Sequence, residues 1–146
     1  MNLLKSLASG LAGAAALTIA HQLLKDNVDD APRMDKLGKQ ALKHSLTKAG
    51  ITLPSRVNLR RYTFAGDIIA NTLYYSLVGL APKASVTTGI ALGVSAGVGA
   101  VALPEPLGLN PAFAGKSDKT KLLTIGLYTL GGIVAGAVAC VLKDKE

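Results

Sequence analysis

Three polar residues, His21, Asp67 and Asn71, interrupt otherwise apolar stretches of this chain. An ionisable group at membrane depth is costly unless it is paired or faces a polar cavity, so these are the first candidates for chemistry. His21 lies four residues before Lys25 and Asp67 six after Arg61, which places both about one helical turn inside the same polar boundary. A hydrogen bond between them would raise the histidine pKa and lower that of the aspartate, relative to each group alone in that site. Asn71 follows Asp67 by one turn on the same helix face, and Thr124 and Tyr128 enter a later apolar segment from the same side. The constellation His21, Asp67, Asn71 and Tyr128 therefore reads in two ways. One is a proton-responsive pocket open to the cytoplasm; the other is an interhelical polar clamp that fixes register. No ladder of acids and histidines continues across the segments, as a pump would require. No nucleophile with its base, phosphate loop or metal cluster accompanies these residues, so neither enzyme activity, cofactor nor metal is expected. Cys140 reads as a small apolar residue.

These residues must be positioned by helices, because the charges are missing in four long gaps. Of 146 residues 49% are hydrophobic and only 17% charged, with 16 glycines, no tryptophan and a mean hydropathy of +0.37. A transmembrane helix needs about 20 apolar residues to cross a ~30 Å hydrocarbon core. The gaps predict spans at about 4–24, 62–80, 84–103 and 120–142, the second being the shortest. Arg60 and Arg61 can snorkel there while Tyr62 and Phe64 sit at the interface. The expected fold is all-α, a four-helix transmembrane bundle with one cytoplasmic amphipathic interfacial helix, in a single integral membrane domain. A soluble bundle fails because each helix would need a polar face, and 84–103 offers only Ser85, Thr87, Thr88 and Ser95. The first segment resembles a secretory signal, yet helical character continues through His21 to Lys25, which favours a retained helix.

The interfacial helix is expected at about 30–49, started by Asp29, Asp30 and Pro32 and stopped by Gly50. Met34, Leu37, Ala41, Leu42, Leu46 and Ala49 recur at helical spacing, bordered by Arg33, Lys36, Lys39, Lys43 and Lys48. Those five basic residues are the expected contacts with anionic membrane lipids. Nucleic acid is not an expected partner, since no stacking aromatics or recognition motif accompany the charge.

Sorting the 16 Lys and Arg residues by side assigns twelve to the face carrying 25–61 and 116–121, and four, Lys5, Lys83, Lys143 and Lys145, to the other. The positive-inside tendency makes the first face cytoplasmic and both termini external. Close packing falls to small residues: Gly89, Gly93 and Gly97 step by four, as do Gly132 and Gly136. A face left free by the bundle would serve a homo-oligomer or a larger membrane complex.

Three motifs carry a family resemblance. Tyr62-Thr63-Phe64-Ala65-Gly66, Ala31-Pro32-Arg33 and Pro104-Glu105-Pro106-Leu107-Gly108-Leu109-Asn110-Pro111 resemble segments of the YagU-like bacterial inner-membrane proteins. That family consists of small multispanning proteins with no assigned catalytic residues, and the resemblance implies a bacterial inner membrane. Where the family carries a histidine after the Tyr-Thr-Phe-Ala-Gly motif, this chain has Asp67. The function expected from all of this is a noncatalytic accessory or structural membrane protein; the competing expectation is a small transporter or proton-responsive channel-like protein using His21 and Asp67.

Overall fold

Local capping explains where half of the helices begin and where α2 ends. In the computed structural model, which describes residues 1–143, six helices follow one another: α1 (Leu3–Asn27), α2 (Met34–Lys48), α3 (Arg56–Tyr75), α4 (Ser85–Ala102), the single-turn α5 (Ala112–Gly115) and α6 (Asp118–Lys143). There is no strand among the described residues, and the chain is all-α. Asn2 caps α1 by accepting the Lys5 amide at 2.9 Å, Ser55 caps α3 through the Asn58 amide at 3.3 Å, and Ser117 accepts the Thr120 amide at 3.1 Å at the head of α6. Helix α2 closes at Gly50, whose φ of +71° suits glycine. There the Gly50 amide reaches Thr47 O at 3.1 Å and the Ile51 amide reaches Leu46 O at 2.9 Å, a Schellman ending.

Three stretches are long and apolar enough to cross a membrane: α1, Pro82–Ala102 and α6. Helix α3 is not among them, because its first two turns hold Arg56, Asn58, Arg60 and Arg61 and its middle holds Asp67 and Asn71. It passes into a 3₁₀ segment, Ser76–Leu80, before Pro82. The helical register of the amphipathic segment also differs from the expected one. Helix α2 starts at Met34, not at 30, with Arg33 at its cap position and Asp35 in its first turn. Asp30 does not cap it, because its φ of +60° turns the chain away from helix before Pro32.

The long helices alternate in direction and lie in the order α3, α1, α6, α4. The α4–α6 pairing is the most extensive, then α1 with α6 and α1 with α3, while α3 touches α4 and α6 only marginally. Tyr75 anchors the α3 edge. It is fully buried with Leu17, Val78, Leu127, Ala135 and Ala139, and its hydroxyl donates to Tyr128 O at 2.7 Å. The neighbouring Tyr74 hydroxyl donates to Leu92 O of α4 at 3.0 Å.

Burial is inverted relative to a water-soluble bundle. Ser9, Gly13, Ala14, Gly89, Gly93, Thr124, Gly132 and Ala135 are buried. Leu4, Leu11, Ile19, Leu23, Ile69, Leu73, Ile90, Val94, Leu122 and Val141 face outward. Apart from the Tyr75 cluster and from Leu37 and Leu59, the large apolar side chains lie mostly outside and small ones inside, which suits a lipid environment, where helices associate by close packing and not by hydrophobic burial.

All of the connections rich in Lys and Arg gather at one end. The Arg33 amide donates to Phe113 O at 2.7 Å, the Asn110 amide to Gln40 Oε1 at 2.9 Å, and Lys116 Nζ to the Asp30 carboxylate at 3.0 Å. Residues 1–5, 76–84 and the end of α6 lie at the opposite end. Of the basic residues expected on that face, Lys145 lies outside the described residues.

Candidate functional site

Helix α1 carries His21 to the basic end, where the residue is 7% exposed. Its Nε2 lies 3.1 Å from Pro32 O. A carbonyl oxygen only accepts, so Nε2 holds the proton and Nδ1 is the nitrogen left to accept in the neutral ring. The expected His21–Asp67 hydrogen bond is therefore replaced by one that ties α1 to the turn before α2. Asp67 has its own local partner: Asn71 Nδ2 donates to Asp67 O at 3.0 Å and to Asp67 Oδ1 at 3.2 Å, one turn along α3.

The polar residues nevertheless share a space. The basic half of α3 stands away from α1, and α2 crosses the gap. The result is a cavity of about 400 Å³ lined by His21, Asp67 and Tyr128 together with Leu17, Thr18, Met34, Phe64 and others. Asn71 is not among its lining residues. Lys25, Lys39, Arg60 and Arg61 stand around the same cavity, and Asp35 lies with them. The Thr18 hydroxyl is buried without a hydrogen-bond partner. A second, more open groove of about 450 Å³ runs between α3 and α4 beneath α2, walled by Ala96, Gly99, Ala100, Leu103 and Leu107. Met34, Asp67 and Tyr128 line both spaces. Toward the opposite end the cavity stops at the Tyr75 core and at the glycine contacts of α1. A Cβ at Gly10 would overlap Thr72 O, and one at Gly13 would lie 2.6 Å from Gly131 O.

The basic residues of α2 do not act as one set. Arg33 is committed to Asp35 by two hydrogen bonds, Nε to Oδ1 at 3.1 Å and an Nη2 to Oδ2 at 3.0 Å, and Lys25 approaches the same carboxylate at 3.9 Å. Burial pushes the Asp35 carboxyl up, but the hydrogen bonds and charge of Arg33, with Lys25, outweigh it and hold the group below the ordinary carboxylate value. The same hydrogen bonds raise Arg33. Lys39 turns to the cavity, whereas Lys36, Lys43 and Lys48 are exposed.

Glycines set the α4–α6 distance. Cβ atoms built at Gly89 and Gly132 would each overlap the other residue's carbonyl oxygen; at Gly93 the nearest atom is Tyr128 O at 2.5 Å, at Gly97 it is Ile125 Cα at 2.6 Å, and at Gly136 it is Ser85 O at 2.5 Å. Backbone rests on backbone along this seam.

Several residues build the site through contacts that the sequence does not signal. Pro32 matters through its carbonyl. Thr120 Oγ1 donates to Asp30 O at 2.8 Å, and Thr124 Oγ1 lies 2.8 Å from Ala114 O and 2.9 Å from Thr120 O. Arg60 and Arg61 have a visible signal, adjacent cations just before an apolar run, which reads as snorkelling without indicating a cavity. The three motifs quoted above converge here. Pro32 and Arg33 hold the turn, Thr63 and Phe64 line the cavity, and Pro104–Pro111 folds into a turn with the Leu109 amide on Pro104 O at 2.8 Å, bonded to α2 through Gln40. No protein-family model matches the chain, and no curated protein or solved structure matches it.

Proposed function

We propose that this chain is a noncatalytic integral membrane protein of the bacterial inner membrane, an accessory or structural component that holds anionic lipid and offers its apolar flanks to other membrane helices. In this reading α1, α4 and α6 span the bilayer, α3 with its 3₁₀ extension crosses as a fourth and outermost span, and α2 lies in the cytoplasmic interface. The observation that carries the proposal is the inverted packing, with Gly, Ala, Ser and Thr inside and rows of Leu, Ile and Val outside. The edge position of α3 supports the accessory role, since the α3 and α4 flanks are free to meet another helix. The YagU-like resemblance is retained as part of this reading. Extraction in mild detergent tests it: the chain should emerge with a partner or as a defined oligomer, and a stable lone monomer contradicts the accessory role.

A second reading is favoured by one observation, that His21 and Asp67 line one cavity. A proton-responsive transporter would use them as its titrating groups. The closed core around Tyr75 supports binding over conduction, because the cavity does not continue past it. Asp67→Asn in liposomes decides: the transport reading requires loss of a proton-coupled flux, and the accessory reading requires no such flux in either protein.

A further inference from the structure

We infer that the cavity between α1, α2 and α3 is a specific site for one anionic phospholipid, with its phosphate among Arg60, Arg61 and Lys39 and an acyl chain in the α3–α4 groove. This deepens the proposed membrane function and rests on it. Charge complementarity gives the first argument. Four cations, Lys25, Lys39, Arg60 and Arg61, surround the cavity against two acids, Asp35 and Asp67. Asp35 is already satisfied by Arg33 and Lys25, and Asp67 is bonded by Asn71. Arg60, Arg61 and Lys39 have no acidic partner among the described residues. Arginine can donate two parallel hydrogen bonds to a phosphate diester, and both Arg60 and Arg61 line the cavity.

Depth gives the second argument. Arg60 and Arg61 lie in the first two turns of α3 and Lys25 in the last turn of α1, all at the basic end, which is the headgroup level of the proposed spans. The apolar residues Leu17 and Phe64 lie deeper. The third argument is continuity. Through Met34, Asp67 and Tyr128 the cavity adjoins the groove of Ala96, Gly99, Ala100 and Leu103, an apolar track for a chain that can enter sideways from the bilayer. A free inorganic phosphate would use the cations but leave this track empty, so the combination of charge and groove selects an amphiphile.

The test is lipid retention. The protein is reconstituted in phosphatidylcholine nanodiscs containing a minor fraction of phosphatidylglycerol. Lipid retained through delipidation is counted by native mass spectrometry, with helicity checked by circular dichroism. The expected result is one retained phosphatidylglycerol per chain, its affinity lowered by about tenfold or more in Arg60→Gln/Arg61→Gln and left within about twofold in Arg56→Gln/Lys119→Gln, which removes the same charge from exposed positions of the basic end that line neither space. Equal losses in the two double variants would make the effect general surface attraction and overturn the site. Displacement of the lipid by millimolar inorganic phosphate would assign the cations to a free anion and overturn it as well. If the protein inserts but retains no phosphatidylglycerol, this inference fails alone; if it does not insert, as judged by alkaline extraction of vesicles of the same lipid composition, the membrane reading fails first.

Discussion

Replacing Gly93 by alanine should cost about 3 kcal/mol of stability, although alanine is the better helix former by up to ~1 kcal/mol. A Cβ at this position would sit 2.5 Å from Tyr128 O and 2.6 Å from Thr129 Cα, whereas ordinary contact begins at 3.4 Å. Both neighbours are backbone atoms inside α6 and cannot rotate away, so the helices must part by about 1 Å. A gap of ~0.5–1 Å forfeits a quarter to a half of each atom pair's ~0.1–0.2 kcal/mol. If the seam holds about as many pairs as the ~40–60 of one buried leucine, the loss is ~1–6 kcal/mol, and measured overpacking costs of ~1–3 kcal/mol place the expectation at the upper end of that narrower range. Gly126→Ala on α6 is the control, since a Cβ there meets nothing within 4 Å; it should be neutral or stabilising. Adding Gly97→Ala to Gly93→Ala should cost less than the sum, because one separation of the helices relieves both. The assay is reversible unfolding in mixed micelles followed by circular dichroism. Equal stability of Gly93→Ala and Gly126→Ala would refute the backbone-on-backbone seam.

The other contacts give smaller and separable effects. Tyr75→Phe removes the hydroxyl that bonds Tyr128 O and should lower stability by ~1 kcal/mol in the same assay, without loss of the fold. Thr124→Val removes the buried hydroxyl beside Ala114 O and should cost ~1–3 kcal/mol, with faster amide exchange in α5 as its local signature. The folded Asp35 carboxyl lies below its unfolded value, so its contribution is complete above the ordinary carboxylate pKa and disappears as pH falls through the lower folded value. Amide exchange in α2 should therefore stay slow from neutral pH down to about 5, accelerate only in stronger acid beyond the intrinsic pH trend, and lose this step in Asp35→Asn; an acceleration near pH 6 would assign it to another group.

How much of this arrangement can be read from sequence depends on whether a contact is made by residue type or by chain path. The four-residue steps of Gly89, Gly93 and Gly97 signal close approach directly, because only a side chain without Cβ allows one backbone to rest on another, and Gly132 and Gly136 stand opposite them. Periodicity likewise marks α2, and Gly50 marks its end. The start of α2 is different. Asp29 and Asp30 look like caps, but the left-handed backbone at Asp30 and the placement of Pro32 are set by contacts with Thr120 and Phe113, roughly 80 or more residues away in the sequence. The same turn delivers the Pro32 carbonyl to His21. A histidine whose partner is a main-chain oxygen leaves no matching side chain to find, so pairing it with Asp67 by depth alone brings the two into one cavity but not into contact. The polar residues of α3, Arg56, Asn58, Arg60, Arg61, Asp67 and Asn71, set it apart from the other long helices but do not say which neighbour it packs on.

Crossing of the bilayer by α3 is the claim on which the whole account turns, because it decides which end of the molecule each basic segment occupies. It is tested by single cysteines introduced at Lys43 on α2 and at Lys83 in the link to α4, both exposed, in a Cys140→Ala background. Intact cells are labelled with a membrane-impermeant maleimide before and after permeabilisation of the inner membrane. The account predicts that Lys83→Cys reacts from outside the intact membrane, and that Lys43→Cys reacts only once it is breached. Labelling of both positions under the same condition would put the two ends of α3 on one side and contradict it.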